Sequence, residues 1–226
     1  ALGIERVLRE GIGNSESSGR KSAYFSAFRS VVTTAEGVAF LNRVWSREET
    51  IPGLPLAETD ETTMAEQLAL RSHPRASEIL AEQLDRIENP DRRARFQFVM
   101  PALAADPGDR SAFFARIADP ANRGREPWVV SGLRFLNHPL RAVEALDQIR
   151  PALEELIEVR DTGDIFFPRN WLDALLSGHN SARSAEIVRE FLRDQRQDYP
   201  IRLRQLILQS ADPLFRSVAI LESQDN

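Results

Sequence analysis

The stretch that decides the fold is the closing quarter of the chain, residues 165–221, which reads IFFPRNWLDALLSGHNSARSAEIVREFLRDQRQDYPIRLRQLILQSADPLFRSVAIL. Three amphipathic helical patterns follow one another here, separated only by Gly178-His179-Asn180 and by Tyr199-Pro200. Apolar residues at spacings of three and four indicate helices that bury one face, and Gly and Pro mark the turns between them. The stretch therefore predicts short helices packed on one another.

The rest of the chain continues this pattern, and no run alternates with the period of two that a half-buried strand needs. The predicted class is all-α. We expect a loop at residues 11–19, an irregular connection at residues 51–55 (IPGLP) and a helix boundary or kink at Pro101. One continuous helical pattern is predicted over residues 140–159.

Several predicted helices begin with Arg, two residues and then Glu or an apolar residue. Taking Arg75, Arg110, Arg141 and Arg183 as markers, the intervals are 35, 31 and 42 residues. This spacing suits a repeated helix pair. It predicts a right-handed superhelix of antiparallel helix pairs, a HEAT- or armadillo-like α-solenoid, with residues 1–226 forming a single repeat domain. The alternative is coincidence, because this is a common way for a helix to begin.

Charge and composition argue against several classes of partner. The net charge of −5 argues against nucleic-acid binding, and no apolar run approaches the roughly 20 residues that span a membrane. Cysteine is absent, so disulfide chemistry does not indicate the compartment of the protein. A bacterial cytoplasm and a bacterial periplasm are both compatible with the sequence. The start lacks both a Met and a signal-peptide pattern, so we expect the chain to be the C-terminal part of a longer one. Lys21 is the only lysine.

The three histidines, His73, His138 and His179, each lie just before one of these helix starts. We interpret them as helix-entry residues rather than zinc ligands, because ligands must converge within about 2.0–2.3 Å of the metal and no H-E-x-x-H is present.

Sequence motifs for other chemistry are weak. In Ser177-Gly178-His179 we interpret Gly178 as a helix C-cap, and Gly11-Ile12-Gly13-Asn14 lacks the Gly-Lys-Ser/Thr of a phosphate loop. The carboxylate pairs Glu48-Glu49 and Glu154-Glu155 are interpreted as solvated faces.

Arginine clusters and aromatic residues leave two interpretations open. The clusters Arg92-Arg93-Arg95, Arg123-Arg125 and Arg202-Arg204 could bind a peptide carboxylate through the guanidinium fork, but ordinary pairing with Asp and Glu is favoured. Trp128 and Trp171 are interpreted as core anchors. Phe166-Phe167-Pro168 is interpreted as packing ahead of a helix, with an exposed recognition wedge as the alternative.

Three runs of the closing stretch carry a family resemblance: NWLDALLSGH (residues 170–179), AEIVREFL (185–192) and YPIRLRQLILQSAD (199–212). Together they resemble the C-terminal end of bacterial zinc aminopeptidases of the aminopeptidase N type. The IPGL segment (51–54) and the predicted helix at residues 60–70 are also similar to the start of that domain.

The resemblance implies a non-catalytic C-terminal domain that closes over the active site and controls access of peptide substrates. In that family zinc is held by an H-E-x-x-H and a distant Glu, and the peptide amino terminus binds near a G-x-M-E-N segment. Both motifs belong to an upstream catalytic domain, which would be the partner of this chain and would hold the zinc. No catalytic or metal-binding residue is therefore assigned here, and substrate-binding residues are not identified. A free-standing α-solenoid adaptor that binds a partner protein on its concave face is the alternative, and an enzyme in its own right is a third hypothesis.

Overall fold

A computed structural model describes residues 2–224, and this part of the chain contains α-helices and short 3₁₀ turns but no strand, so the all-α class is confirmed. The thirteen helices are α1 (Leu2–Asn14), α2 (Ser18–Val31), α3 (Ala35–Trp45), α4 (Glu58–Leu70), α5 (Ala76–Arg86), α6 (Pro90–Leu103), α7 (Pro107–Ala118), α8 (Glu126–Leu136), α9 (Leu146–Glu154), α10 (Leu156–Thr162), α11 (Phe167–Leu176), α12 (Ala182–Asp194) and α13 (Ile201–Gln224). Two 3₁₀ turns lie at Pro120–Asn122 and Pro139–Arg141.

The helices group into two compact units, one up to Gln97 and the other from Phe98 onward, with the boundary inside α6. That the whole chain forms one repeat domain stays a prediction.

In the first unit each helix packs against helices close to it in sequence: α1 on α2, α2 on α4, α3 on α4, and α4 on α5. Its largest buried side chains are apolar, and Phe28 and Phe40 meet edge to face with ring centroids 5.5 Å apart. The core of this unit includes Phe25, Phe28, Phe40, Leu41, Trp45, Met64, Leu68, Ile79 and Phe96.

The second unit is built around α11, which contacts α8, α9, α10 and α13, while α12 contacts α9 and α13. Trp171 at the centre of α11 is fully buried, and its Nε1 donates to the Ala152 carbonyl at 2.9 Å. The core also includes Phe113, Val129, Leu133, Ile149, Leu153, Phe167, Leu175, Val188 and Ile207.

The predicted loop at residues 11–19 is wrong, because α1 continues to Asn14 and α2 begins at Ser18. The Ser15 hydroxyl donates to the Gly11 carbonyl at 2.6 Å, and Ser17 caps α2 by accepting from the Arg20 backbone N–H. The Gly- and Ser-rich composition thus serves a three-residue turn between two helices that pack closely.

The continuous helix predicted over residues 140–159 is also wrong. The segment opens with a 3₁₀ turn at Pro139–Arg141, α9 begins only at Leu146, and Glu155 separates α9 from α10. The physical reason lies in Arg141, whose guanidinium donates to the carbonyls of Ala102 and Leu103 at the end of α6 (2.9 and 3.1 Å). That long-range contact holds the segment in a turn.

The four marker arginines do not occupy equivalent positions. Arg75 directly precedes α5, Arg110 is the fourth residue of α7, Arg141 ends a 3₁₀ turn and Arg183 is the second residue of α12. The equivalence of these helix starts is therefore wrong. By contrast, Pro101 lies two residues before the end of α6, near the predicted boundary.

Arginine side chains recur at helix C-termini, where backbone carbonyls have no partner within the helix. Arg71 donates to the carbonyls of Arg29 and Ser30 (both 3.1 Å) and of Val32, at the end of α2. Arg141 does the same for α6. Burial lowers the pKa of each of these two arginines to about 10. The abundant arginine therefore has a structural use that its composition alone did not reveal.

Candidate functional site

His73 and His138 are helix-entry residues, as predicted. The Nδ1 atom of each accepts a hydrogen bond at 3.2 Å from a backbone N–H two residues later, that of Arg75 and that of Leu140. Burial and then the nearby Arg75 charge lower the pKa of His73.

His179 has a different role. It is only 5 % exposed, and its Nε2 lies 2.9 Å from Oδ1 of Asn137. Because the Asn137 Nδ2 donates to the Leu133 carbonyl at 3.0 Å, its Oδ1 is the acceptor and the imidazole carries its proton on Nε2. Burial lowers the pKa of His179 to about 4, so the ring is neutral near pH 7. Among residues 2–224, no three His, Asp or Glu side chains form a group that could hold a metal ion.

Gly178 is required by a close approach, and its interpretation as the C-cap of the helix is wrong, since Ser177 is the C-cap of α11. A Cβ atom at residue 178 would lie 1.8 Å from the Asn137 carbonyl oxygen. Only glycine lets the two backbones approach this closely.

The first arginine cluster forms ordinary ion pairs, as favoured from the sequence. Arg92 lies 3.3 Å from Glu58, Arg93 lies 3.0 Å from Asp85, and Arg95 lies 3.3 Å from Glu66. Burial raises the pKa of Glu66, and the Arg95 charge only partly offsets this.

In the other two arginine clusters the members have different roles. Arg123 is buried, donates to the Ile117 carbonyl at 2.8 Å and pairs with Glu155 at 3.0 Å, so it is a structural residue. Arg204 donates to the Leu192 carbonyl at 2.8 Å. Arg202 is exposed and has no ion-pair partner among the described residues. Of the predicted carboxylate pairs, Glu154 binds Arg150 at 3.0 Å.

Trp171 is a core anchor, as predicted, but Trp128 is not. Trp128 is half-buried, with the Arg125 guanidinium 5.1 Å from its ring and the Phe98 ring 5.7 Å away. Phe166 and Phe167 also differ in burial, because Phe167 is buried while Phe166 is 68 % exposed. The neighbouring Ile165 side chain is 87 % exposed.

Sequence reasoning missed a buried carboxylate in the first unit. Glu5 of α1 accepts hydrogen bonds from the backbone N–H groups of Thr33 (2.7 Å) and Thr34 (3.1 Å) and from the Thr34 hydroxyl. It thereby secures the start of α3, whose N-cap is Thr34. Burial would raise the pKa of Glu5, but these hydrogen bonds together lower it. A carboxylate at a helix N-terminus also faces the positive end of the helix dipole.

A cleft of about 290 Å³ lies between α1, α2, α3 and the segment after α3. The segment ends in a turn closed by a hydrogen bond from Leu54 N to the Ile51 carbonyl (3.0 Å), with Gly53 at a φ of 75° that favours glycine. Lys21 Nζ donates to the Pro52 carbonyl at 2.6 Å. The residues lining the cleft are Arg9, Ile12, Gly13, Lys21, Phe40, Glu49, Thr50, Ile51 and Pro52.

Two cations line this cleft, and only one of them has a carboxylate partner among the described residues. Arg9 pairs with Glu36, and its guanidinium lies 4.8 Å from the centre of the Phe40 ring. Lys21 is half-buried and has no carboxylate partner among the described residues. The only sequence signals for this cleft were the single lysine and the IPGLP segment.

No protein-family model matches the chain, and the comparison with curated proteins gives no match. None of the helices in residues 2–224 combines the length and the apolar character that a membrane span requires.

Proposed function

We propose that this chain is a non-catalytic helical domain of the kind that closes over the active site of zinc aminopeptidases of the aminopeptidase N type. In this proposal an upstream catalytic domain is the partner and holds the zinc. The helical domain limits access to the site and contacts longer peptide substrates. Such a domain contributes by excluding water and positioning the peptide rather than by reacting with it.

The observation that carries the proposal is the sequence separation of the tertiary hydrogen bonds. Trp45 Nε1 donates to the Gln83 side chain across 38 residues, His179 bonds Asn137 across 42, and Ser210 donates to Asp173 across 37. Contacts at such separations are typical of helical repeats of roughly 34–47 residues, in which each helix pair packs on its neighbour. They support a HEAT-like superhelix within each unit.

The residues that carry the family resemblance are packing residues. In the closing stretch Trp171, Leu175, Ala185, Val188 and Ile207 are all fully buried. The resemblance thus rests on how α11, α12 and α13 pack. It supports a shared architecture and assigns no chemistry to this chain.

Three observations test the proposal. The reading frame upstream of Ala1 should encode an H-E-x-x-H domain. The isolated chain should not release amino acids from aminoacyl-nitroanilides, whereas the full-length product should. An upstream frame without such a domain would overturn the proposal, and activity of the isolated chain would instead favour an enzyme in its own right. Small-angle scattering tests the superhelix, since a compact domain of this length has a radius of gyration of about 17 Å and a superhelix should exceed it.

A free-standing adaptor is the second candidate, and one observation favours it. Ile165 and Phe166 are adjacent, large, apolar and mostly exposed, which is typical of recognition surfaces. The adaptor predicts a purified partner whose binding is lost in Phe166→Ser, while Val143→Ser, at another exposed apolar residue of the same unit, leaves it unchanged. Equal effects of both substitutions would contradict a specific wedge.

A further inference from the structure

The cleft between α1, α2, α3 and the turn at residues 51–54 combines a lysine without a carboxylate partner and an apolar wall. We propose that it binds a small carboxylate that carries an apolar side chain, with Lys21 and Arg9 holding the carboxylate. This inference goes beyond the proposed function and does not depend on it.

The charge of Lys21 is the first argument. An ammonium group has three N–H donors, and the Pro52 carbonyl takes one of them at 2.6 Å. Two donors are left, and no carboxylate among the described residues pairs with this side chain. A half-buried ammonium group with two free donors and no carboxylate partner can bind an anion, because charge-assisted hydrogen bonds are about twice as strong as neutral ones.

The neighbouring charges leave an excess of positive charge. Arg9 contributes a guanidinium with five N–H donors, of which Glu36 engages only part. Glu49 also lines the cleft, but its carboxylate is held by Arg43 at 2.8 Å. The cleft is therefore lined by two cations, Arg9 and Lys21, and by one carboxylate, Glu49, so an incoming carboxylate would balance the charge.

The shape of the cleft sets the size of the ligand. Its volume of about 290 Å³ lies just below the range of typical ligand pockets, which is about 300–1,000 Å³. Ile12, Phe40, Ile51 and Pro52 supply the apolar wall. This space accommodates one side chain of the size of leucine beside a carboxylate. Such a group occurs at the C-terminus of a peptide and in a free branched-chain carboxylic acid.

The single lysine makes the test direct. In the full 226-residue chain, lysine labelled with ¹³C at Cε gives one signal, that of Lys21. Titration with N-acetyl-leucine should move this signal to saturation, while N-acetyl-leucinamide, which lacks the negative charge, should leave it in place. An equal response to the amide, or no saturable response to the acid up to about 20 mM, would overturn the proposal.

Matched variants locate the site. By calorimetry, Lys21→Met should weaken binding of N-acetyl-leucine about tenfold or more, as expected for loss of a hydrogen bond to a charged group. Arg20→Met, at the neighbouring exposed residue of α2, should stay within about twofold of the parent affinity. Because Lys21 also supports the turn, Arg9→Met serves as the second variant. It keeps the lysine signal and its contact with Pro52, and it should weaken binding several-fold. Unchanged affinity in both cleft variants would refute the site.

Two further ligands separate the sources of the carboxylate. Acetyl-Ala-Ala-Leu represents a peptide C-terminus, and 4-methylpentanoate represents a free acid. Tighter binding of the peptide identifies a C-terminal peptide site, whereas equal or tighter binding of the acid identifies a small-molecule site. Failure of both to compete with N-acetyl-leucine would overturn the proposal.

Discussion

One turn in each unit shows a contrasting way of securing a helix end. In the first unit the turn between α2 and α3 is held by two charged side chains, the buried Glu5 and the half-buried Arg71. Glu5 accepts from the backbone N–H groups of Thr33 and Thr34, and Arg71 donates to the Val32 carbonyl. The two charged groups attract each other, because the Glu5 charge raises the pKa of Arg71 against the stronger effect of burial.

In the second unit the end of α11 is held by groups without charge. Gly178 brings its backbone against the Asn137 carbonyl, and the neutral His179 ring donates to the Asn137 side chain. In the first unit, charged side chains hydrogen-bond backbone N–H and carbonyl groups that water would otherwise satisfy. The contact in the second unit depends on the absence of a side chain at Gly178 and on the neutral form of the His179 ring. The two turns should therefore fail under different perturbations.

The largest expected effect is that of Gly178→Ala. The new Cβ would lie 1.8 Å from a backbone oxygen, so the chain must move, and we expect a loss of about 3 kcal/mol or more in the free energy of unfolding. Chemical denaturation measures this, and hydrogen exchange should place the loss in α8 and α11. Gly13→Ala is the control, since a Cβ there meets nothing within 4 Å and should be neutral or stabilise by up to about 1 kcal/mol. Equal effects would show that the backbones of Gly178 and Asn137 are not tightly packed.

The corresponding test of the first unit is Glu5→Gln. The amide keeps one acceptor but places an N–H₂ group against the Thr34 hydroxyl and removes the charge beside Arg71, so we expect a loss of about 2 kcal/mol. Glu10 on the same helix is 61 % exposed, and its carboxylate lies no closer than 3.9 Å to the Arg6 guanidinium. Glu10→Gln should therefore change the free energy of unfolding by less than about 0.5 kcal/mol. A loss as small in Glu5→Gln as in Glu10→Gln would mean that the Glu5 charge has no structural role.

Acid should affect the neutral turn first. The pKa of His179 is about 4 in the folded chain and near 6.5 when unfolded, so its contribution is complete above pH 6.5 and is lost as the pH falls to 4. Between pH 6.5 and 5 this amounts to about 1.5 kcal/mol. The pKa of Glu5 is also lowered, from an ordinary value of 4.5, so the contribution of Glu5 is lost only at lower pH.

His179→Gln isolates the contribution of His179 to the pH dependence, because an amide can still donate to Asn137 but does not titrate. The free energy of unfolding of the variant should depend less on pH between 6.5 and 5 than that of the parent chain. His73→Gln is the control, since His73 is only half-buried and its removal should change the slope less. Identical slopes for the parent chain and His179→Gln would contradict a buried neutral ring.

What could be predicted from the sequence was local. The spacing of apolar residues predicted most helices, and Thr34 and Asn89 cap their helices through residues three positions away. The roles of Glu5, Arg71 and Arg141 could not be predicted, because their partners lie 28 to 42 residues away. The cleft around Lys21 depends in the same way on Pro52, which lies 31 residues further along the chain.

The smallest expected effect comes from an exposed counterpart of Glu5 in the second unit. Asp164 accepts from the backbone N–H groups of Phe166 (2.7 Å) and Phe167 (2.9 Å), so it too places a carboxylate at the start of a helix, α11. Asp164 is exposed, and asparagine caps helices about as well as aspartate, so Asp164→Asn should cost less than about 0.5 kcal/mol. Denaturation of this variant beside Glu5→Gln compares the same carboxylate-to-amide change at a buried and at an exposed helix start. If the two losses are equal, burial does not explain why the turn between α2 and α3 depends on charge, and the contrast between the two turns reduces to Gly178 alone.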